Sequence, residues 1–311
     1  MSNNNMQPRQ PKGVPSGGQW RATVRPEGDV ALDKPSQADD NLDERFVEAR
    51  SVLVRGVKAL GPQSEALTLV GAQAVFEHVH GTGLPLTLTG DGDQSVWPHY
   101  IDETHDIFAA LVAAGFTQYP DRPGIWGYPA SNGELIGFDL LVPGSIAGPG
   151  RRGARVPGQD KHALGRADGL ELSLLNRAKR AVRTFGEPEE SVEMYVAGPA
   201  AILCAKSYKL AERLVERDRG GRDRVRAKDA GDAWRMMAVS DPREVRRVFE
   251  AGERHETMGP AIARGRKYLH DLFGPEGVAV VLAVSDLRRQ VGEKRTLRVL
   301  NEWMASFSGR T

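Results

Sequence analysis

Cysteine is almost absent from this chain, whose 311 residues contain a single one, Cys204. One cysteine excludes a disulfide framework and a cysteine-rich zinc module. An excess of charge of one sign is also lacking, since 42 Lys and Arg residues stand against 41 Asp and Glu residues. The molecule as a whole is therefore not a general polyanion binder, and any nucleic-acid surface must come from local clustering of basic side chains.

Long apolar runs are lacking as well. The longest, GVAVVLAV at 277–284, is far shorter than the roughly 20 residues that a membrane-spanning helix needs. The first residues, MSNNNMQPRQPKGVPSGGQW, carry no apolar segment of the kind that a secretory signal has. We therefore expect a soluble, cytoplasmic protein with no membrane partner.

The composition changes twice along the chain. Residues 1–42 are rich in Asn, Gln, Pro, Gly and Asp and poor in large apolar side chains, so we expect a disordered N-terminal tail. The remainder is long enough for two compact parts. The sequence predicts an α/β core over 43–197 and a helical domain over 198–311, which is an α+β fold with a small mixed β-sheet and a helical C-terminal half.

Hydrophobic periodicity predicts the individual elements. A stripe of Phe46, Val52 or Leu53, Val57 and Leu60 predicts a helix over 42–60. Leu67–Val70 is predicted to be a buried strand that turns at Gly71 into a helix ending near Val79. Further strands are predicted at Leu86–Leu88, resuming at Val96, and at 116–119, 125–128, 134–142 and 192–197. Further helices are predicted at 103–114, 199–217, 226–239, 241–252, 259–273 and 285–305, the third and the last of the C-terminal five capped by Asp241 and Ser285.

The stretch TGDGD at 89–93 permits two interpretations. Asp-Gly is a common hairpin signal, so GDGD between two strand-like runs can be a simple turn. Alternatively, residues i and i+2 of an extended segment share a face, so Asp91 and Asp93 could together chelate one or two Mg²⁺ ions. Asp139, in the strand-like run IGFDLLV, is the candidate for a third carboxylate. Such a triad could support in-line phosphoryl displacement.

A second constellation lies on two helices of the C-terminal half. Lys206 and Arg213 are seven residues apart and so share one helix face, on which Tyr208 and Lys209 are not expected. Asp229 and Asp232 are i and i+3 neighbours on the next helix and could approach Lys206. Ordinary solvated salt bridges are the alternative interpretation of such charge runs.

Four motifs in order give the chain a resemblance to nucleotidyltransferases of the AbiEii/AbiGii type, the toxin components of bacterial toxin–antitoxin and phage-defence pairs that include the mycobacterial MenT toxins. They are LVGAQAV (69–75), TGDGD (89–93), FDLLVPGSIAGPGRRGAR (138–155), and VAGPAAILCAKSYKLAER with the following KDAGD (196–213 and 228–232). Together they span about residues 45 to 240. One departure is that Gly71 is followed by Ala72, where many members have glycine or serine.

The resemblance implies an enzyme that transfers a nucleotide from an NTP with Mg²⁺, or Mn²⁺ in its place. Its catalytic residues would be Asp91, Asp93, Asp139, Lys206 and Asp229, the first three of them holding the metal. Nucleotide binding would fall to Gly71, Ala72, Thr89, Lys206, Arg213 and Asp232. The resemblance also implies an RNA acceptor, with the 3′ end of tRNA as the expected target, and a cognate antitoxin such as a winged-helix regulator.

Basic residues are concentrated in the middle of the chain. Residues 151–228 contain 18 Lys and Arg against 11 Asp and Glu. We expect Arg151, Arg152, Arg155 and Lys228 to contact RNA, with Arg166, Arg177, Lys179, Arg180 and Arg183 as further members of a surface that follows phosphates. Two other functions remain open from the sequence: nucleotide transfer to a protein side chain, and a catalytically idle protein of the same fold that binds nucleotide, RNA or a partner.

Overall fold

The computed structural model describes residues 42–186 and 188–309. The tail expected over 1–42 lies, apart from Leu42, outside the described residues. Within them the chain forms nine α-helices and eight β-strands, so the predicted mixed α/β fold is confirmed. No helix of the described part is both long and apolar enough to cross a membrane.

The first part of the described chain alternates helices and strands. Helix α1 (Glu44–Leu60) begins where the Asp43 side chain accepts a hydrogen bond from the Arg45 amide, and its predicted apolar stripe is buried. The elements that follow are β1 (Leu67–Val70), α2 (Gly71–Val79), β2 (Asp91–Val96), α3 (Ile107–Ala113), β3 (Thr117–Gln118), β4 (Ile125–Pro129), β5 (Leu135–Pro143), β6 (Gly165–Ala167), β7 (Arg177–Arg183) and β8 (Ser191–Ala197).

All eight strands belong to one mixed sheet in the order β3-β4-β5-β2-β1-β8-β7, with β6 pairing beside β5. Strand β2 is central: it runs antiparallel to β1 and parallel to β5. Strand β1 is parallel to β8, whose last residue, Ala197, leads directly into the helical half. The sheet therefore brings the end of β1, the start of β2 and the middle of β5 together.

The second part is helical, as predicted, but the helix predicted at its C-terminal end does not form with the predicted bounds. It comprises α4 (Pro199–Asp218), α5 (Ala227–Val239), α6 (Pro242–Gly252), α7 (Gly259–Phe273), α8 (Val278–Leu287) and α9 (Glu293–Phe307). Asp241 caps α6 as expected, accepting from the Arg243 amide. The predicted helix over 285–305 is wrong: Ser285 lies inside α8, and the chain breaks at Gly292, whose φ of 83° is one that glycine adopts easily.

Two other predictions need correction. Residues 84–89 form no strand, because the alternation of Leu86 and Leu88 has no neighbouring strand to pair with. Helix α3 begins at Ile107 rather than at residue 103, since the Asp106 side chain caps it through the amides of Phe108 and Ala109. Strands β6 and β7 were not predicted, and β7 is a basic edge strand. Buried side chains on both sides of residue 198, the predicted domain boundary, belong to one core cluster.

Candidate active site

Asp91 and Asp93 lie in a strand and not in a turn. Strand β2 begins at Asp91, and its residues pair with both β1 and β5, so the hairpin-turn interpretation of GDGD is wrong. Both carboxylates are on the same face because they are two residues apart in extended backbone. Gly92, between them, faces Leu53 of α1, 3.5 Å from where its Cβ would be, so the opposite face of this strand is packed.

The third carboxylate is directly opposite the second. In the parallel pairing of β2 with β5, Asp93 is in register with Asp139 and Asp91 with Gly137. A Cβ built on Gly137 would lie 3.3 Å from the Asp91 Cβ and 3.8 Å from the Asp139 Oδ1. The missing side chain therefore leaves the space between Asp91 and Asp139 open, and the structure brings together the three carboxylates that the sequence analysis selected.

Burial and mutual repulsion change the acidity of two of these groups. Burial, followed by the charge of Asp91, raises the pKa of Asp93 to about 6, against the opposing influence of Lys209 and Lys206. Burial, followed by the charges of Asp93 and Asp91, raises the pKa of Asp139 to about 8. A cation placed among the carboxylates would relieve this repulsion.

The donor chemistry suits a hard divalent cation, because all three side chains offer carboxylate oxygens. In the part of the chain that the structure describes, however, no three His, Cys, Asp or Glu side chains are already arranged to hold a metal ion. Asp91 is exposed and accepts a hydrogen bond from the Thr89 hydroxyl. Metal binding by this set would therefore require the three carboxylates to move closer together than they are in this arrangement.

The first turn of α2 is in contact with the same carboxylates. Gly71 has a φ of 68°, and a Cβ at this position would lie 2.2 Å from the Asp93 Oδ2. Only glycine fits, both for its backbone conformation and for the space that Asp93 leaves. No side chain caps α2, and Ala72, next in this first turn, is buried. The backbone amides of this turn therefore lie beside Asp93, where they could receive phosphate oxygens.

The lysine and aspartates of the two helices form a buried ionic cluster. The Lys206 Nζ donates to the Asp229 Oδ1 at 2.9 Å and to the Asp232 Oδ2 at 2.5 Å, and all three residues are almost fully buried. Arg213 donates to the Asp229 Oδ2 at 2.8 Å, so Lys206 and Arg213 do share a helix face, as predicted. Although burial favours the neutral acid, Lys206 and Lys209 hold the pKa of Asp229 below its usual range.

Lys209, which was expected to face away from Lys206, is a partly exposed cation beside the same cluster. The Lys209 Nζ lies 3.5 Å from the Asp229 Oδ1, and its side chain remains 43% exposed, whereas that of Lys206 is 5% exposed. The charge of Lys209 lowers the pKa of both Asp93 and Asp139. The expectation that Lys209 faces elsewhere is therefore wrong. Its i+3 spacing from Lys206 is the signal that could have identified it.

The segment 84–89, which leads into Asp91, is held by α5. The Lys228 Nζ donates to the Leu88 carbonyl at 2.9 Å, and the Arg235 Nε donates to the Pro85 carbonyl at 2.8 Å. Lys228, which was expected to contact RNA, is thus half-buried against the chain. These two hydrogen bonds hold in place the segment that precedes Asp91.

The other basic residues that were expected to contact RNA lie in the β5–β6 loop and on strands β6 and β7. Arg151, Arg152 and Arg155 are exposed in the loop between β5 and β6. The β7 cations are engaged: Arg177 donates to the Thr68 hydroxyl and stacks on Tyr195, and Lys179 and Arg183 pair with Glu65 and Glu189. Arg166 and Arg180 donate to backbone carbonyls of Gly144 and Glu77.

Comparison of the chain with family models, with curated proteins and with solved structures gave no match. The assignment of a function therefore depends on the residues and their geometry.

Proposed function

We propose that this protein is a Mg²⁺-dependent nucleotidyltransferase that moves a nucleoside monophosphate from an NTP to an RNA hydroxyl. The observation that carries the proposal is the register of Asp93 with Asp139 on two parallel strands, with Asp91 two residues away on the same face. Three carboxylates at one sheet position, two of them with raised pKa values, favour a site that gains stability by binding divalent cations.

The chain supplies a place for the nucleotide next to this triad. The amides at the start of α2 suit the phosphates of an NTP, and Gly71 allows the backbone to approach Asp93 closely. The Thr89 hydroxyl donates a hydrogen bond to Asp91 and so helps to hold this carboxylate in place. Magnesium would supply charge neutralisation of the phosphates and activation of the attacking hydroxyl.

The two lysines of α4 have different parts in this proposal. Lys206, enclosed by Asp229 and Asp232, orients the ionic cluster and is a positioning residue. Lys209, partly exposed and within electrostatic reach of Asp93 and Asp139, is the cation that meets the triphosphate and the departing pyrophosphate. Arg213 holds Asp229 from the other side.

In the transfer step, the oxygen of the acceptor hydroxyl attacks the α-phosphorus of the NTP and pyrophosphate leaves with the electrons of the broken bond. We assign the proton of the hydroxyl to Asp139, which could accept it once a bound cation has displaced the proton that its raised pKa favours. The 3′ end of tRNA as acceptor, loss of translation as the outcome and a cognate antitoxin as partner come from the family resemblance alone.

The proposal is tested by incubating the full-length protein with Mg²⁺, each α-labelled NTP in turn, and either total RNA or total cytosolic protein. We expect label on tRNA, and none with the Asp91→Ala/Asp93→Ala variant. Label on protein would replace the acceptor with a protein side chain. An absence of label with every nucleotide, from folded protein, would contradict the enzyme proposal and favour a protein that only binds.

A further inference from the structure

A cavity of about 520 Å³ opens beside the candidate active site, between the segment 84–89, α5 and the end of α8. We call it the α8 cavity. Its lining includes one carboxylate and four cations, which are Asp286, Lys228, Arg235, Arg288 and Arg289. This excess of positive charge in a concave surface favours an anionic ligand.

The four cations differ in how deeply they are buried. Arg235 is almost fully buried and donates to the Pro85 carbonyl and, at 3.1 Å, to the Asp286 Oδ2. Lys228 is half-buried, and burial lowers its pKa although the nearby charges of Asp232 and Asp91 raise it. Arg288 and Arg289 are exposed. Positive groups therefore lead from solvent to the neighbourhood of Asp91.

A second observation points independently to a polar ligand. Thr87 lines the cavity and is 8% exposed, yet its Oγ1 is buried without a hydrogen-bond partner. Buried hydroxyl groups in folded proteins nearly always have a partner. A ligand oxygen in the α8 cavity could supply it after a rotation of the Thr87 side chain, because this hydroxyl is shielded from solvent in the free protein.

We infer that the α8 cavity binds the sugar-phosphate backbone of a single-stranded RNA segment and leads the acceptor end toward Asp91. This inference rests on the proposed function for the identity of the strand as an acceptor. A strand fits better than the triphosphate of the NTP, because the cations extend outward to Arg288 and Arg289 while the α2 amides beside Asp93 suit a compact triphosphate. Of the cations that line the α8 cavity, only Lys228 belongs to the basic stretch 151–228.

The test measures the affinity of full-length protein for a fluorescein-labelled single-stranded RNA of about ten nucleotides, without nucleotide, over a range of salt concentrations. For Arg288→Gln/Arg289→Gln we expect the slope of log K against log salt to become shallower by about 1.4, since each phosphate contact on a single strand contributes about 0.7. Arg288→Lys/Arg289→Lys keeps both charges and should retain the wild-type slope.

The matched control is Arg243→Gln/Arg247→Gln, which removes two exposed arginines from α6. It should leave the slope unchanged. The inference is overturned if the α8 variant binds RNA as the wild type does, or if both pairs of substitutions weaken binding equally. It is also overturned if the α8 variant loses affinity for NTP with Mg²⁺ and keeps its affinity for RNA, because the cavity would then hold the triphosphate.

Thr87→Val provides a further test that does not alter charge. The valine removes an unpartnered buried hydroxyl, so the free protein should melt at the same or a higher temperature while RNA affinity falls. Unchanged RNA affinity would contradict a ligand contact at Thr87. These binding measurements need no catalysis, so a protein that shows them but transfers no nucleotide would refute the proposed function and leave the RNA site intact.

Discussion

Asp93 on β2 and Asp139 on β5 lie directly opposite each other on neighbouring parallel strands. Their pKa values of about 6 and about 8 are both raised, first by burial and then by neighbouring carboxylates. A pair of acids in this arrangement destabilises the folded chain as it ionises, unless a cation or a proton lies between its members. This relationship makes stability depend on pH and on metal.

The first prediction concerns pH. An unfolded aspartate has a pKa of roughly 3.9, so between about pH 4 and pH 8 the folded chain retains a proton on Asp139 that the unfolded chain has lost. Stability from this group is therefore complete at low pH and is lost as pH rises through 8. We expect Asp139→Asn to melt at a higher temperature than wild type at pH 8 and to differ little at pH 4, in metal-free buffer. Asp218→Asn, at the exposed end of α4, should show no such trend; an equal trend in both variants would contradict the assignment.

The second prediction concerns metal. Mg²⁺ competes with protons for the carboxylates, so added Mg²⁺ should raise the melting temperature at pH 8 and have little effect at pH 5. The Asp91→Asn/Asp93→Asn variant should not respond. A wild-type response of equal size at both pH values would indicate that the ion binds elsewhere.

The third prediction separates backbone strain from the contact with Asp93. Gly71→Ala places a Cβ on the Asp93 Oδ2, whereas Gly133→Ala, at a similar φ of 80°, meets nothing within 4 Å. Both variants should lose about 1–2 kcal/mol of unfolding free energy from the left-handed backbone, and Gly71→Ala should lose more because its Cβ displaces Asp93. Only Gly71→Ala should also lose nucleotide binding and transfer, which calorimetry and the labelling assay measure. Equal activity in the two variants would contradict a role for the Gly71 turn.

The fourth prediction distinguishes the two lysines of α4. Lys206→Met leaves Asp229 and Asp232 buried without their main partner, so we expect a loss of about 3–5 kcal/mol in unfolding free energy. Lys209→Met removes a partly exposed cation and should change stability by no more than about 1 kcal/mol.

For Lys209, we expect substitution to affect activity more than stability. We expect Lys209→Met to lower kcat at unchanged fold, and Lys209→Arg to restore part of it, because the positive charge toward Asp93 and Asp139 is retained. Steady-state kinetics of both variants, with denaturant unfolding as the check on folding, make the measurement. A Lys209→Met enzyme with wild-type kcat would remove Lys209 from the site.

Local sequence pattern was sufficient to predict several elements. The stripe of α1, the strand, glycine and helix sequence around Gly71, and the cap at Asp241 follow from spacing and side-chain chemistry. The sheet register does not, because it depends on which strands become neighbours. Leu86 and Leu88 alternate like a strand but have no partner, whereas Asp91–Val96, weak in strand propensity, is paired on both sides.

The candidate site was predictable in part for the same reason. The spacing of Asp91 and Asp93 requires a shared face in extended backbone, and Asp139 could be chosen as a carboxylate in a clear strand. Only the fold places Asp139 opposite Asp93. The i+7 spacing of Lys206 and Arg213 does not include Lys209, which lies beside the same cluster through its i+3 relation to Lys206. The α8 cavity joins residues about 200 positions apart in sequence, and no local pattern predicts it.

The proposal that three carboxylates form the catalytic centre is tested most sharply by the rate of nucleotide transfer. The rates of Asp91→Asn, Asp93→Asn and Asp139→Asn are each compared with that of Asp218→Asn at saturating Mg²⁺ and NTP. The three β-sheet variants should fold and lose at least about 100-fold in rate, because each removes a metal ligand or the proton acceptor. Asp218→Asn should keep the wild-type rate. Wild-type transfer by any of the three sheet variants, or equal loss in all four, would contradict the proposal that these carboxylates are the catalytic centre.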